Sequence, residues 1–510
     1  VSTAVATPDH RTTGSNALLV TMSVMAATVM QALDTTIANV ALPHMQGALG
    51  ATQDQISWVL TSYIVAAAIF MPLTGFLTER LGRKRLFTMC VAGFTITSML
   101  CGAAQSLEEM VIFRLLQGIC GAALVPLSQA VLLDTYPKEK HGQAMAMWGV
   151  GVMVGPILGP FLGGWLTEYY DWRWVFYINV PVGVFTWFAL TAFMEETPLD
   201  NSRRFDFTGF LFLAIALGAL QMMLDRGETL DWFNSSEVIV ESLITAFAFY
   251  LFVAHIFTHK SPFIEPAIFK DRNFSISLIF IFIVGIVLLA TIALLPPFMQ
   301  SLMGYSVMDV GTLLAPRGMG TMVAMMLVGR LSGKVDPRHL IFVGLCLTSL
   351  SLWEMTYYTT LTTQWEIVRN GVIQGFGLGF VFVPLSAVAF STMQPQYRGI
   401  GTALFSLLRN IGSSIGISVV VTYLAHRSQI NHGIFASYIT PFSQPLNQAV
   451  SSGALDTSTL QGIAAINGKV TEQALTLAYL QDFRLMMFVT LVAMPLLLFM
   501  RGPQANVNKR

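Results

Sequence analysis

Asp34 stands deep inside a long apolar run, in Leu33-Asp-Thr-Thr-Ile-Ala-Asn-Val-Ala-Leu-Pro43. A carboxylate at the centre of a lipid-spanning helix costs about 2.5–3.5 kcal/mol on insertion scales, so such a residue normally faces a cavity and carries a function. Proton binding and release is the chemistry it suits. The bland alternative is a fixed partner to a buried arginine. Arg114, in Phe113-Arg-Leu-Leu-Gln-Gly118, falls at a matching depth in the fourth apolar run, and Gln117 lies three residues on along the same helical face. Opposite charges at one depth can pair, which lowers the cost of burying each. Asp34 and Arg114 are therefore the expected proton-coupling residues, and a static lock between two helices is the competing role.

Several further residues are candidates for a substrate cavity. Asn39 is five residues beyond Asp34 and reads first as a hydrogen bonder between helices. Met30, near Asp34, has a side chain adaptable enough to line a cavity for varied apolar ligands. Gln117 shares the Arg114 face. Arg317, in Ala315-Pro-Arg-Gly-Met319, and Arg409, in Leu408-Arg-Asn-Ile-Gly412, either contact substrate or hold helices together.

The elements that position these residues are membrane helices. The chain has 510 residues, of which 54% are hydrophobic and only 11% charged. Its mean hydropathy is +0.64. A run of about 20 apolar residues spans a bilayer as a helix. Fourteen such runs are legible: 17–40, 56–78, 86–104, 109–133, 143–166, 174–194, 207–224, 237–258, 274–299, 309–331, 340–358, 365–390, 400–425 and 480–500. They lack the alternation of a membrane barrel. The expected fold class is an all-α polytopic membrane protein. Residues 1–16 are polar, and the first run is long enough to remain a span, so no cleavable signal is expected. The absence of an initiator Met is read as a trimmed start or an alternative start codon.

Charge sets the orientation. Eighteen Lys and Arg, among them Arg80, Arg83, Lys84, Arg85, Lys138, Lys140, Lys334, Arg338 and Arg398, fall on the side of the N-terminus; the other side has only Arg173, Arg226, Arg427 and Lys469. Basic loops stay inside, so both termini are expected in the cytoplasm. Formal net charge is zero, and nothing points to nucleic acid. Cys90, Cys101, Cys120 and Cys346 have no paired spacing and read as small buried residues. No metal, cofactor or catalytic set is expected, on the reading that neither a His-x3-His pair nor a Gly-x-Ser-x-Gly sequence occurs, and no Gly-x4-Gly-Lys-Ser/Thr loop for ATP is present. The energy source expected is a proton gradient.

The chain repeats itself. Gly75…Leu86 aligns with Gly329…Leu340 at a shift of 254, and Gln117-Gly118 aligns with Gln374-Gly375 at a shift of 257. Runs one to six thus correspond to runs nine to fourteen in the same orientation, with runs seven and eight inserted between them. Leu288 stands where Asp34 would be and Gly371 where Arg114 would be, so the titratable chemistry is expected in the first half only. The expected organisation is a cytoplasmic tail 1–16, a six-helix bundle 17–194, two additional helices with their loops 195–273, a second bundle 274–500 containing an outer segment 426–479, and a cytoplasmic tail 501–510. The two inserted helices are read as structured linkers with lipid-facing positions.

Two motifs and the repeat plan carry a resemblance. Gly75-Phe-Leu-Thr-Glu-Arg-Leu-Gly-Arg-Lys-Arg-Leu86 resembles the loop after the second helix of major facilitator superfamily transporters, with Glu79 where Asp is usual. Gly151-x3-Gly155-Pro156-x2-Gly159-Pro160-x2-Gly163-Gly164 resembles the antiporter motif of exporters in that superfamily. Pro160 departs from its plainest form. With Leu224-Asp-Arg-Gly-x3-Asp-Trp232 and the long outer segment, the whole resembles the fourteen-helix drug:proton antiporters, the EmrB-like group. That resemblance implies a major facilitator fold of two six-helix bundles plus two helices in a bacterial inner membrane. It implies proton-coupled export of hydrophobic and amphipathic small molecules. It also implies partners: an EmrA-like periplasmic adaptor and an outer-membrane channel, with the outer segment 426–479 helping to dock them. Gly75, Glu79, Arg80, Gly82, Arg83 and Lys84 are the expected conformational loop. Export of an endogenous metabolite, such as a siderophore or fatty acid, is the alternative; an intramembrane enzyme is the remote one.

Overall fold

The computed structural model describes residues 14–199, 205–440, 442–451 and 459–500. Most of the two expected tails, and Leu455 of the outer segment, lie outside the described residues. Besides the short helices Gln53–Ile56 and Gln444–Ser451, fourteen helical units follow one another among the described residues: α1 Gly14–Leu49, α2 Trp58–Phe70 with Leu73–Leu81, α3 Arg83–Ala103, α4 Leu107–Gly121 with Leu124–Thr135, α5 His141–Tyr169, α6 Trp174–Tyr177 with Asn179–Phe193, α7 Phe207–Arg226 and α8 Ser236–Thr258. The second series is α9 Arg272–Ser301, α10 Val307–Leu331, α11 Pro337–Met355, α12 Gln364–Ser391, α13 Arg398–Tyr438 and α14 Leu460–Ala493. Among the described residues there is no strand, only one isolated bridge between Ser332 and Val335.

Twelve of these helices are long and apolar enough to cross a membrane, and the two pieces of α2, bent by 59°, make a thirteenth. Pro72 lies at that bend, where its missing N–H breaks the helical ladder. The 19-residue α11 is less apolar because Arg338, His339, Thr348, Ser349, Ser351 and Glu354 dilute it. It stands where α3 stands in the first series.

The repeat is visible in the packing. A Cβ on Gly118 of α4 would collide with the Tyr63 carbonyl of α2; a Cβ on Gly375 of α12 would collide with the Arg317 carbonyl of α10. Positions 63 and 317 differ by the same 254 residues as the sequence repeat, so the two crossings are counterparts. Small residues permit such close helix approaches in lipid. Across the two series, α5 packs along α10, and the second piece of α2 and α4 pack on α13. Trp148 of α5 stacks on Phe382 of α12 with ring centroids 5.7 Å apart.

The inserted helices differ from each other. α8 presents Leu243, Phe247, Tyr250 and Phe257 outward, which suits a lipid-facing linker. α7 does more than that. Asp225 at its end accepts from Thr61 of α2, Gln221 accepts from Ser414 of α13 at 3.0 Å, and Trp232 just beyond donates to Thr422 of α13 at 2.8 Å. It therefore bridges the two series at the end opposite the basic loop.

Candidate functional site

Asp34 and Arg114 meet. Arg114 Nη1 donates to Asp34 Oδ2 at 2.7 Å, and both residues are 1% exposed. Gln117 Nε2 donates to Asp34 Oδ1 at 2.8 Å and its Oε1 accepts from Arg114 at 2.9 Å. Arg114 Nε is satisfied by the Val59 carbonyl at 3.1 Å, and its guanidinium lies 4.4 Å from the Tyr63 ring centre and 5.7 Å from that of Phe176. The charges are thus paired, hydrogen-bonded and cradled by aromatic faces, the conditions under which a buried ion pair is tolerated.

One member of the site escaped the sequence. Asn179 of α6 donates to Asp34 Oδ1 at 2.9 Å and to Ser98 of α3 at 3.0 Å. It follows Trp172-Arg-Trp-Val-Phe-Tyr-Ile, a run readable as membrane anchors, yet Trp172 and Phe176 are themselves buried. An amide after such a run is the signal that was available. Asp34 therefore ties α1 to α4 and α6 together.

The cavity candidates separate. Met30 is wholly buried in the core of the first series, because its face of α1 packs inward. Gln117 is likewise buried and fully engaged by the ion pair. Asn39 is exposed and bonds no described residue, so it does not tie helices. It continues the row Gln31, Thr35, Asn39 at four-residue spacing, of which Gln31 donates to the Tyr63 hydroxyl. Met22, Met25, Met147 and Met326 line a crevice of about 450 Å³ between α1, α5 and α10, with Gln143 and Arg330 also in its wall. Arg317 is 8% exposed and Arg409 half-buried, and neither side chain bonds a described residue.

The basic motif is less a loop than a joint. Gly82, at φ 85°, is the single residue between α2 and α3. Its left-handed backbone suits glycine, and a Cβ there would also strike Glu196. Glu196 accepts from the N–H groups of Lys84 and Arg85, each at 3.0 Å, and Thr197 from Arg83 at 3.0 Å, so the start of α3 is capped from beyond α6. Gly75 is pressed against Ile400 of α13. Asp134 of α4 accepts from Arg83 on one oxygen and from Arg398 of α13 on the other. Arg398 also reaches the Leu133 carbonyl at 3.3 Å. Asp134 and Arg398 thus join the two series at this end. Glu79 and Arg80 lie on the last turn of α2, with Arg80 6.0 Å from the Phe76 ring centre.

In α5 the glycine row does pack. Cβ atoms on Gly151, Gly155 and Gly159 would collide with Met25, Ala32 and Thr36 of α1, and one on Gly163 would crowd Val40. Gly164 is the exception: nothing lies within 4 Å of its Cβ position. Pro156 and Pro160 sit inside a continuous helix, and the Thr36 hydroxyl reaches the Gly155 carbonyl at 3.1 Å.

Three features correct the sequence reading of chemistry. Asp482 of α14 is wholly buried in the second series with no partner for either oxygen among the described residues, so buried acid is not confined to the first half. Gly412-Ser-Ser-Ile-Gly416 fits the Gly-x-Ser-x-Gly spacing, but it lies in the middle of α13, packed against α9 and with Ser414 held by Gln221, not at a strand-to-helix elbow. His255 and His259 do form a His-x3-His pair, and with Asp206 they come close enough to share a metal ion. Their bonds fit a cap better. Asp206 accepts from Gly209, Phe263 and His255, each at 2.9 Å, and His259 Nδ1 accepts from Ser261, which leaves Nε2 protonated. Burial resists ionisation of Asp206, but the Gly209, His255 and Phe263 bonds outweigh it and hold its carboxyl below the usual range.

An all-helical bundle with an internal parallel repeat and a buried acid–arginine pair defines a secondary transporter. The Major Facilitator Superfamily profile matches residues 24–417. The chain is 35% identical over 490 residues to the fatty acid resistance protein FarB of Neisseria gonorrhoeae, covering 95% of this chain and 96% of that one. It is 34% identical over 496 residues to the multidrug export protein EmrB of Escherichia coli K12, covering 96% of each. The human organic anion transporter MFSD10 (TETRAN) shares the fold, with a TM-score of 0.58 at 15% identity over 93% of this chain and 99% of that one. The chain belongs to the major facilitator superfamily, in its EmrB-like branch, and is a multi-pass membrane protein.

Proposed function

We propose that this protein exports hydrophobic and amphipathic compounds across a bacterial inner membrane in exchange for protons. The observation that carries the reading is the wholly buried Asp34–Arg114 pair, tied to α1, α4 and α6 at once. Ionised, Asp34 accepts from Arg114, Gln117 and Asn179. Protonated, it loses the Coulombic tie and one acceptor site, while Arg114 keeps Val59, Gln117 and the two aromatic faces. The proton thus biases the packing of α1 against α4 and α6, which is what a coupling residue must do. Gly151, Gly155, Gly159 and Gly163 hold α5 on α1, and the joint around Gly82 holds the two series together, so both are conformational parts and do not touch cargo. The experiment is drug-dependent proton movement in liposomes: Asp34→Asn protein that folds and still couples export to protons would end this reading.

The bias of Lys and Arg supports a cytoplasmic location for both termini and the basic joint. The outer segment supports a partner. α13 runs 41 residues, roughly 60 Å at 1.5 Å per residue, against a hydrocarbon core of about 30 Å. Its end pairs with the start of α14 through Asn431 to the Ala474 carbonyl at 3.3 Å and His432 with Asn467 at 3.0 Å. Leu460 is 85% exposed and Ile463 is exposed too, while Ile466 is half-buried, so the apolar edge is open at its Leu460 end. An EmrA-like adaptor leading to an outer-membrane channel is the occupant this reading implies. Deleting 451–468 should abolish whole-cell resistance and spare transport in liposomes. FarB, a fatty acid resistance protein matched over 96% of its length, favours a second reading, export of fatty acids.

A further inference from the structure

The Leu224-Asp-Arg-Gly-x3-Asp-Trp232 motif lies outside both the ion pair and the basic joint, yet its distinctive residues all have partners. Asp225, at the end of α7, accepts from the Thr61 hydroxyl of α2. Arg226 lies 5.4 Å from the ring centre of Trp58 on the same stretch of α2, and it pairs with Glu237 at the start of α8. Gly227 leaves room for the Trp232 ring, which a Cβ there would strike, and its carbonyl accepts from the Trp232 N–H at 2.7 Å. Asp231 accepts from Asn234 at 2.8 Å. Asp231 and Trp232 both take left-handed backbone, at φ 58° and 48°. That region is uncommon for a bulky residue and persists where its partners hold it. Here the Trp232 indole meets α13, where its Nε1 donates to Thr422 at 2.8 Å.

The stretch of α2 that this turn grips is the stretch that seats Arg114. Val59 lies between Trp58 and Thr61, and its carbonyl accepts from Arg114 Nε at 3.1 Å. Tyr63, two residues past Thr61, has its ring centre 4.4 Å from the guanidinium. The helical piece that carries them, Trp58–Phe70, is only 13 residues long and is bent by 59° from the piece that follows. A helix of that length is marginal by itself, so neighbours must fix its position. α7 is such a neighbour, and it comes close enough along α2 that a Cβ on Gly218 would crowd Ile69.

We infer that the motif is a positioning element for Arg114. Asp225 and Arg226 hold residues 58–63 of α2, from which Arg114 takes a carbonyl acceptor and an aromatic face, and Trp232 ties that seat to α13 of the second series. The inference rests on the proton-coupling reading of Asp34 and Arg114 and gives the inserted helices a part in it. A shift of α13 at this end has to pull on the turn or break the indole bond.

Cys101 of α3 reports on the seat. Its thiol is wholly buried and reaches Gln117 Oε1 at 3.5 Å, beside the pair. N-ethylmaleimide labelling of Cys101 is followed by peptide mass in full-length protein in nanodiscs, with Cys90 and Cys120 replaced by Ala. Cys346, on α11 of the second series, is kept as the control. Thr61→Val is isosteric and lacks the donor; it should label Cys101 about fivefold faster, the scale of one lost hydrogen bond, with Cys346 unchanged. Asp225 is exposed, so its replacement opens no core. Asp225→Ala should match Thr61→Val, and Asp225→Asn, which still offers Thr61 an oxygen, should restore the wild-type rate. Equal Cys101 labelling in wild type and Thr61→Val, faster labelling of both cysteines, or no rescue by Asp225→Asn would overturn the positioning role. Trp232→Phe keeps the ring and drops the N–H; it should also speed Cys101, and an unchanged rate would overturn the tie to α13. These rates need neither substrate nor a proton gradient. Asp34→Asn protein that still couples export to protons would end the exporter reading and leave the Cys101 result standing.

Discussion

The two six-helix series share a backbone plan and differ in how they treat buried charge. The first gathers Asp34, Arg114, Gln117 and Asn179 into one closed network. The second scatters its charge: Arg317 and Asp482 are buried on different helices without partners among the described residues. A complete network can hold its charges in place and switch on one proton. An incomplete one carries an uncompensated desolvation cost. On the reading proposed above, the first half is the one that exchanges a proton, while the second buries charge without a partner among the described residues.

The sharpest way to break this contrast is in the first half. Asp34→Asn should fold and lose proton-coupled export by roughly a hundredfold or more, the scale lost with a proton-transfer group; drug-dependent acidification in liposomes reads it. Arg114→Ala should cost about 3–5 kcal/mol of stability because it strands a buried carboxylate. Adding Asp34→Asn to Arg114→Ala should restore part of that loss in a detergent melt, and no recovery would mean that the pair is not the source of the cost.

The second half should respond with the opposite sign. Asp482→Leu should raise the melting temperature, since replacing an unpartnered buried acid by an apolar group removes a desolvation cost of about 1–3 kcal/mol. A fall in melting temperature would show that Asp482 has a partner in the working protein.

The joint between the halves comes next. Asp134→Ala removes the acceptor shared by Arg83 and Arg398, so cysteines placed beside Ile400 should label faster, and turnover should change severalfold with substrate affinity nearly constant. Glu79→Gln, on the same joint, should likewise change turnover more than affinity. Altered affinity at equal turnover would place the joint at the cargo.

The smallest effect belongs to the inserted pair. Asp206→Ala should cost about 1–2 kcal/mol through the lost helix cap. Because the folded carboxyl ionises below its ordinary value of 3.8, its contribution is present above that pH and is lost as pH falls through the lower folded value. The melting difference between wild type and variant should stay level from about pH 7 to 5 and close only below about pH 4.

The sequence by itself determined the membrane class, the repeat, and the identity and partnership of Asp34 and Arg114. Those follow from local facts: apolar length, charge bias, and the high cost of an ion in lipid, which makes any such residue conspicuous. The glycine row of α5 was legible for the same reason, since four-residue spacing of small residues has a packing meaning in any helix. What remained for the tertiary structure were partners distant in the chain. Asn179 reaches Asp34 across 145 residues and Arg398 reaches Asp134 across 264, and neither type is costly enough at its position to announce itself. Which faces of α1 Met30 and Asn39 occupy was not legible either, because an α-helix presents every side chain to some neighbour and only the packing of α1 decides which face is buried. The alignment of the repeat puts Gly371 at the position of Arg114, but that Arg317 of α10 packs against this glycine is visible only in the folded chain, because the contact depends on how α10 crosses α12.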